Sequence, residues 1–310
     1  MNAPYKFQYL PNSAPADAQV VFLPVSYDDT VCGVRGTAAG PAAIFEASNS
    51  LEYYEEDGGW SPFQHLRPCV LPELRREDGE TEAAFHGRIE AAARDAFDRQ
   101  AQRLLIALGG EHSITPSVIA GCLTSPATIV VLDAHADLRR TYQGSTLSHA
   151  CTMHRLLEQG HRVVIIGLRS LADFEAETLA ATSGISAYWA RDLRHAATHQ
   201  AMIDMLSELE GDIWLSVDMD VFDPSLVPGV GTPQPGGLDW YAVQDVVHTL
   251  FTNQSASIRG MDVVELIPDP HQVSQITAAK LVQKAISFWG KQHKYDEMPK
   301  SGAQSKLSYE

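Results

Sequence analysis

Short apolar runs alternate with amphipathic stretches along almost the whole chain, and that rhythm restricts the possible fold more than any other feature. The runs at 19–24, 104–108, 128–132, 162–167, 186–189, 212–217 and 257–264 have strand length and are rich in Val, Ile and Leu. The segments at 41–54, 81–100, 114–122, 151–159, 172–182, 198–209, 240–250 and 274–289 have helical periodicity. Strands that read as near-continuous apolar runs are covered on both faces, so the pattern predicts an α/β fold with a parallel sheet between helices. Pro41 after Gly40 suits the first turn of a helix. No repeat or low-complexity linker interrupts the 310 residues, which read as a single domain with its core at about 18–290. Only 291–310, polar and carrying Pro299, Ser301, Gly302 and Ser305, reads as a flexible tail.

Polar clusters follow four of the strands. Gly109-Gly110-Glu111-His112-Ser113 follows the run at 104–108, and Asp133-Ala-His135-Ala-Asp137 follows 128–132. Asp218-Met-Asp220 follows 212–217, and Glu265 follows Met261-Asp-Val-Val264. In open α/β sheets ligands bind beyond the carboxyl ends of the strands. Alternate residues of extended chain point the same way, so Asp133, His135 and Asp137 can converge on one point, as can Asp218 and Asp220. Carboxylates crowded together in this way repel one another unless a cation lies between them.

Each cluster also has a bland reading. Asp-x-Asp commonly caps a strand-to-loop turn, and Gly-Gly followed by Ser can simply start a helix. His112 alone reads as a loop histidine, Glu265 as a surface carboxylate, and Glu111 as a structural neighbour of His112 rather than a ligand. His149 and His154 compete for a catalytic part among 12 histidines. The arrival of all four clusters at one sheet edge makes a metal centre the stronger reading. Asp, Glu and His without thiolate suit Mn²⁺ first, with Ni²⁺, Fe²⁺ or Zn²⁺ as alternatives. Paired ions about 3.5–4 Å apart share carboxylates and lower the pKa of a bridging water, which yields hydroxide for hydrolysis.

With 23 basic against 39 acidic residues, the net charge of −16 argues against nucleic acid or an anionic membrane as partner and favours a cationic substrate. The four cysteines form no CxxC pair, the N-terminus lacks a basic-then-apolar signal and no run spans a bilayer, so a cytoplasmic protein is expected.

The segments GGEHS at 109–113, LDAHADLR at 132–139, SHACTM at 148–153, SVDMDVFDPSLVPGVGTPQPGGL at 216–238 and MDVVELIP at 261–268 resemble the ureohydrolases, the arginase/agmatinase family. The resemblance runs from about residue 20 to 290. It implies a three-layer αβα arginase-like fold around a mostly parallel sheet of about eight strands. It implies two Mn²⁺ per subunit, one on His112, Asp133, Asp137 and Asp218, the other on His135, Asp133, Asp218 and Asp220. It also implies hydrolysis of a guanidinium to urea and an amine by a metal-bridging hydroxide. In that scheme Glu265 orients the guanidinium, Asp220 passes a proton to the departing amine, and His149 acts as a general acid/base. Thr232 hydrogen-bonds near the substrate. A trimer or hexamer is implied in the same way.

The SHACTM segment, with no asparagine-rich contacts for an α-carboxylate, and Val264-Glu265 before Pro268 are most similar to agmatinases, so agmatine is the expected substrate. GGEHS stands where GGDHS is commoner. Arg139-Arg140 departs from the Arg-then-acid of close agmatinase relatives. Arg140 reads as solvent-facing, but inside the pocket it would welcome the carboxylate of 4-guanidinobutyrate or arginine. Aminopropylagmatine and guanidine stay open. The rival classes are a single-zinc, deacetylase-like amide hydrolase, which a metal count separates, and a non-catalytic metal-binding relative.

Overall fold

The structure, a computed structural model, describes residues 5–98 and 102–304. Among these residues nine strands form one sheet: β1 (Val20–Ser26), β2 (Pro68–Val70), β3 (Leu74–Arg75), β4 (Leu104–Gly109), β5 (Thr128–Leu132), β6 (Arg162–Leu168), β7 (Ile185–Trp189), β8 (Gly211–Asp218) and β9 (Ala256–Val264). Their order is β2-β1-β4-β9-β8-β5-β6-β7, with β3 also on β1, and every strand pair runs parallel.

Side chains alternate between the two faces. Val20, Phe22, Leu104, Ile106, Val130 and Leu132 enter one core with α1 (Gly40–Ser48), α6 (Ala196–Ser207), α7 (Trp240–Thr252) and α8 (Val273–Gln292). Val21, Leu23, Leu105, Ala107, Ile129 and Val131 enter the other with α2 (Glu82–Ala96), α3 (Thr115–Cys122) and α4 (Thr152–Glu158). A further helix, α5 (Asp173–Ala181), reaches the second core through Leu179. The three layers thus follow from period-two burial of apolar strands.

The elements not foreseen have local causes. β2 and β3 are too short to read as runs. Pro24 lies inside β1, on the side that bonds to β2 through Val20 and Phe22, but opposite the gap between β2 and β3, so its missing N–H costs no ladder bond. The helix expected over 41–54 stops at Ser48. There Ser48 Oγ donates back to Phe45 O and accepts from Gln8 N, while Asn49 accepts from Tyr9 N. The helix expected over 81–100 ends at Ala96, and residues 99–100 lie outside the described ones. Of the tail at 291–310, Ala303 is buried and Gly302 and Ala303 donate to Gln64 O and Leu66 O, while 305–310 lie outside the described residues.

Candidate metal centre and cavity

The polar clusters leave β4, β9, β8 and β5, which are consecutive neighbours in the middle of the sheet. All of them sit at the carboxyl ends, so sheet order alone gathers them. His112 Nδ1 lies 3.1 Å from Asp133 Oδ2, 3.3 Å from Asp218 Oδ2 and 3.6 Å from Asp137 Oδ2. His135 Nδ1 lies 2.9 Å from Asp220 Oδ2 and 3.7 Å from Asp133 Oδ1. Two ligand groups result, His112–Asp133–Asp137 and Asp133–His135–Asp220, with Asp133 common to both and Asp218 against the first.

Strand pleating alone does not produce this convergence. Asp133 Oδ1 accepts from His135 N at 2.6 Å, and Asp218 Oδ1 accepts from Asp220 N at 2.8 Å. These tight turns fold each motif back on itself. Asp220 lies in a 3₁₀ turn and Asp137 takes a left-handed φ of 45°. Arg169 pins the turn from behind by donating to the carbonyls of Asp220, Val221, Phe222 and Gln234.

The donors fit divalent cations on two grounds. His112 Nδ1 and Asp133 Oδ2 are fully buried and face each other with no other hydrogen-bonding group on either, a costly state unless a proton or a cation lies between their lone pairs. The tautomer of His112 also favours a ligand at Nδ1. Ser216 Oγ donates to Asp262 Oδ1 at 2.6 Å and lies 3.0 Å from His112 Nε2, so Nε2 carries the hydrogen. Asp262 is buried and also accepts from Thr115 Oγ1 and Trp214 Nε1. Sequence reading missed this support, although an aspartate inside an apolar strand was its visible sign.

Metal-free, the cluster shares protons. Burial and neighbouring carboxylates push Asp137 and Asp218 well above the carboxylate range. Burial opposes the His135 imidazolium, but Asp220 and Asp133 outweigh it and carry the ring to about 12. Burial likewise opposes charge on His112, and Asp133 and Asp218 reverse the balance. A cation binding here would displace those protons.

A cavity of about 320 Å³ opens onto the cluster. His135, Asp137, Asp218, Asp220, Glu265 and Thr232 all line it, as does His149. Glu265 has a left-handed φ of 62° after β9, and its Oε1 accepts from His112 N at 2.7 Å. Burial, then the neighbouring Glu111, pushes its carboxyl up. Thr232 Oγ1 donates to Asp220 Oδ2 at 3.4 Å. His149 heads the turn before α4, and burial, reinforced by His112 and His135, holds its imidazole down to about 4.

Three further groups reach the cavity: Tyr142 and Cys32, from the 139–148 loop and the 27–36 region that the sequence marks as setting the substrate, and the buried Glu175, which sequence reading did not place there. Arg139 lines it too, with its guanidinium over the rings of Tyr142 (5.3 Å) and Phe174 (5.1 Å). Arg140 is exposed and lines a separate groove with His154 and Glu158. A third acidic group, Glu55–Glu56–Asp57, needs no metal because the Lys284 ammonium sits among it.

The fold and the site together define a three-layer α/β protein with a cation-ready carboxylate–imidazole cluster at the strand ends. The arginase family profile matches residues 18–287. The chain is 35% identical over 309 residues to the N(1)-aminopropylagmatine ureohydrolase of Synechocystis sp., covering 94% of this chain and 98% of that one. It is 34% identical over 287 residues to the agmatinase of Pyrococcus horikoshii, covering 90% and 95%. The crystal structure of the agmatine ureohydrolase of Thermoplasma volcanium matches it with a TM-score of 0.80 at 28% identity, covering 91% and 93%. The chain belongs to the arginase family and is a hydrolase acting on guanidino compounds.

Proposed function

We propose that this protein is a binuclear manganese amidinohydrolase that converts agmatine to putrescine and urea. The observation that carries the reading is the convergence of four aspartates and two histidines on two adjacent points, with His112 Nδ1 and Asp133 Oδ2 buried and facing each other with no other hydrogen-bonding group on either. His112, Asp133, Asp137 and Asp218 hold one ion, and His135, Asp133, Asp218 and Asp220 hold the other. When bound, two such cations supply Lewis acidity and lower the pKa of a water enough for hydroxide to exist near neutral pH.

The remaining steps belong to the chain's own side chains. Glu265 accepts N–H bonds from the guanidinium and faces its central carbon toward the cluster. Thr232 hydrogen-bonds at the same end. Water oxygen adds to that carbon, the bond from carbon to the alkylamine nitrogen breaks, and urea and an ammonium result. Asp220 moves a proton from the attacking oxygen to the departing nitrogen. His149, whose half-buried ring is neutral at pH 7, exchanges protons with solvent.

Apart from the aspartates assigned to the metal ions, the cavity wall carries Glu175 and Glu265 against one arginine, Arg139, which suits a cationic amine and not a carboxylate. A second reading, N-aminopropylagmatine as substrate, is favoured by the name of the Synechocystis relative. The catalytic unit is one domain at about 18–290. We take it to assemble as a homo-oligomer, trimer or hexamer, in the cytoplasm. Its four cysteines are unpaired, and no helix among the described residues is long and apolar enough to cross a membrane.

The test is urea release by Mn²⁺-reconstituted protein from agmatine, aminopropylagmatine, arginine, 4-guanidinobutyrate and guanidine, with Asp133→Asn as the blank. Preference for agmatine supports the reading. Preference for a carboxylate-bearing compound replaces the substrate, and no urea from any of them removes the reading.

A further inference from the structure

Thr30 lies in the loop after β1, and its hydroxyl joins two groups on either side of the cavity wall. The hydroxyl donates to Glu111 Oε1 at 2.5 Å, accepts from the His149 backbone N–H at 3.1 Å, and lies 3.2 Å from His149 Nδ1. Glu111 is fully buried, and the partners of its carboxylate are all donors: Thr30 Oγ1, Thr30 N at 2.7 Å and Ser113 Oγ.

In its ionised form the Glu111 carboxylate, held by three donors, commits the single hydroxyl proton of Thr30 to itself. The Thr30 oxygen then offers His149 only lone pairs, so the contact is a hydrogen bond only when Nδ1 carries the ring hydrogen. Ser148 Oγ, 3.3 Å from the same nitrogen, has a rotatable hydroxyl that serves equally as an acceptor. The opposite nitrogen, Nε2, lies beside Cys32 Sγ at 3.3 Å, and both residues line the cavity. That nitrogen keeps its lone pair.

We propose that Thr30 and Glu111 are positioning residues for His149: they fix its ring as the Nδ1–H tautomer and aim the Nε2 lone pair into the cavity. The inference rests on reading His149 as the proton-transfer group. In this chain a glutamate stands next to His112 where GGDHS is the commoner wording, and the arm reaching Thr30 is thereby longer by about 1.5 Å.

The experiment compares Thr30→Val, which removes the hydroxyl, with Thr30→Ser, which keeps it, in the full metal-loaded chain. Long-range ¹H–¹⁵N correlation on [¹⁵N]histidine-labelled, Zn²⁺-loaded protein, with His149→Gln to assign the signal, reads the tautomer without any substrate. Urea release from agmatine by the Mn²⁺-loaded protein reads kcat and KM.

Wild type and Thr30→Ser should show the Nδ1–H tautomer, and Thr30→Val a mixture. In Thr30→Val kcat should fall about 10- to 100-fold with KM within about threefold, while Thr30→Ser stays within about threefold of wild type. An Nε2–H tautomer in the wild type overturns the proposal. So does a Thr30→Val that keeps the wild-type tautomer or kcat, or a Thr30→Ser as impaired as Thr30→Val. If the wild type releases urea from no guanidino compound, the functional reading falls, and the tautomer measurement alone decides the part played by Thr30.

Discussion

His112 Nε2 lies 3.0 Å from Ser216 Oγ, and the Ser216 proton is already given to Asp262. The arrangement ties a strand-end histidine to the interior of the sheet, because Ser216 lies in β8 and Asp262 in β9. It leaves Nδ1 as the nitrogen that faces Asp133, Asp137 and Asp218.

Removing that support should loosen the metal without touching a ligand. Ser216→Ala and Asp262→Asn are each expected to weaken the first metal about 10- to 100-fold, the range seen when groups orienting a metal-bound histidine are lost. Competition against a fluorescent chelator measures it. Unchanged affinity in both variants would show that Ser216 and Asp262 serve packing alone.

Metal binding should release protons, with the sign set by the raised pKa values of His112 and His135 in the metal-free fold. Groups that hold protons before binding must lose them to ligate, so affinity falls as pH is lowered. Titration calorimetry at pH 7.5 in two buffers of different ionisation enthalpy should give a positive number of protons released per Mn²⁺. Identical heats in the two buffers would contradict the protonated resting state.

Fold stability should fall in mild acid through His86. The ring is buried against Ser117, and burial, reinforced by Arg155 and Arg76, holds its pKa down to about 3 from the ordinary 6.5. Above pH 6.5 both folded and unfolded states are neutral and the group adds nothing. Below it the unfolded chain binds a proton that the fold refuses, costing up to about 1.4 kcal/mol per pH unit until the folded ring titrates. Between pH 6.5 and 5, His86→Gln should lose about 2 kcal/mol less than wild type by urea denaturation.

In α8 the buried Lys284 is paired with Glu55, Glu56 and Asp57, and Ser287 also donates to Glu55. Lys284→Met leaves Glu55 buried without its counter-charge and should cost about 3–5 kcal/mol. Adding Glu55→Gln should recover part of that loss. A single variant as stable as wild type, by thermal or chemical unfolding, would remove this cluster from the account of stability.

Arg140 is exposed in a groove apart from the acidic cavity. Arg140→Ala is therefore expected to keep kcat/KM for agmatine within about twofold, as surface changes usually do. A larger drop would bring Arg140 to the substrate and reopen the carboxylate-bearing candidates.

Much of this molecule is legible in its sequence. Runs such as Thr128–Leu132 are apolar on both faces, and only a sheet covered on both sides accepts that pattern. The polar residues that end those runs named the candidate ligands, and strand order then placed them side by side. What could not be read depends on contacts distant in sequence. Asp262 reaches His112 only through Ser216, and Thr30 meets Glu111 and His149 across 81 and 119 residues. β2 and β3 are too short to show periodicity, and the end of α1 is set by Gln8 and Tyr9 from another segment. The turns that fold Asp220 and His135 back are local, yet a strict strand pattern gave no sign of them.

The most direct test of the central claim is a metal count on protein loaded with excess Mn²⁺, desalted, and measured by inductively coupled plasma mass spectrometry beside Asp133→Asn. Because Asp133 belongs to both ligand groups, the wild type should hold about two Mn²⁺ per chain and Asp133→Asn about one or none. One ion per wild-type chain, or one zinc that Mn²⁺ does not join, would contradict a binuclear centre.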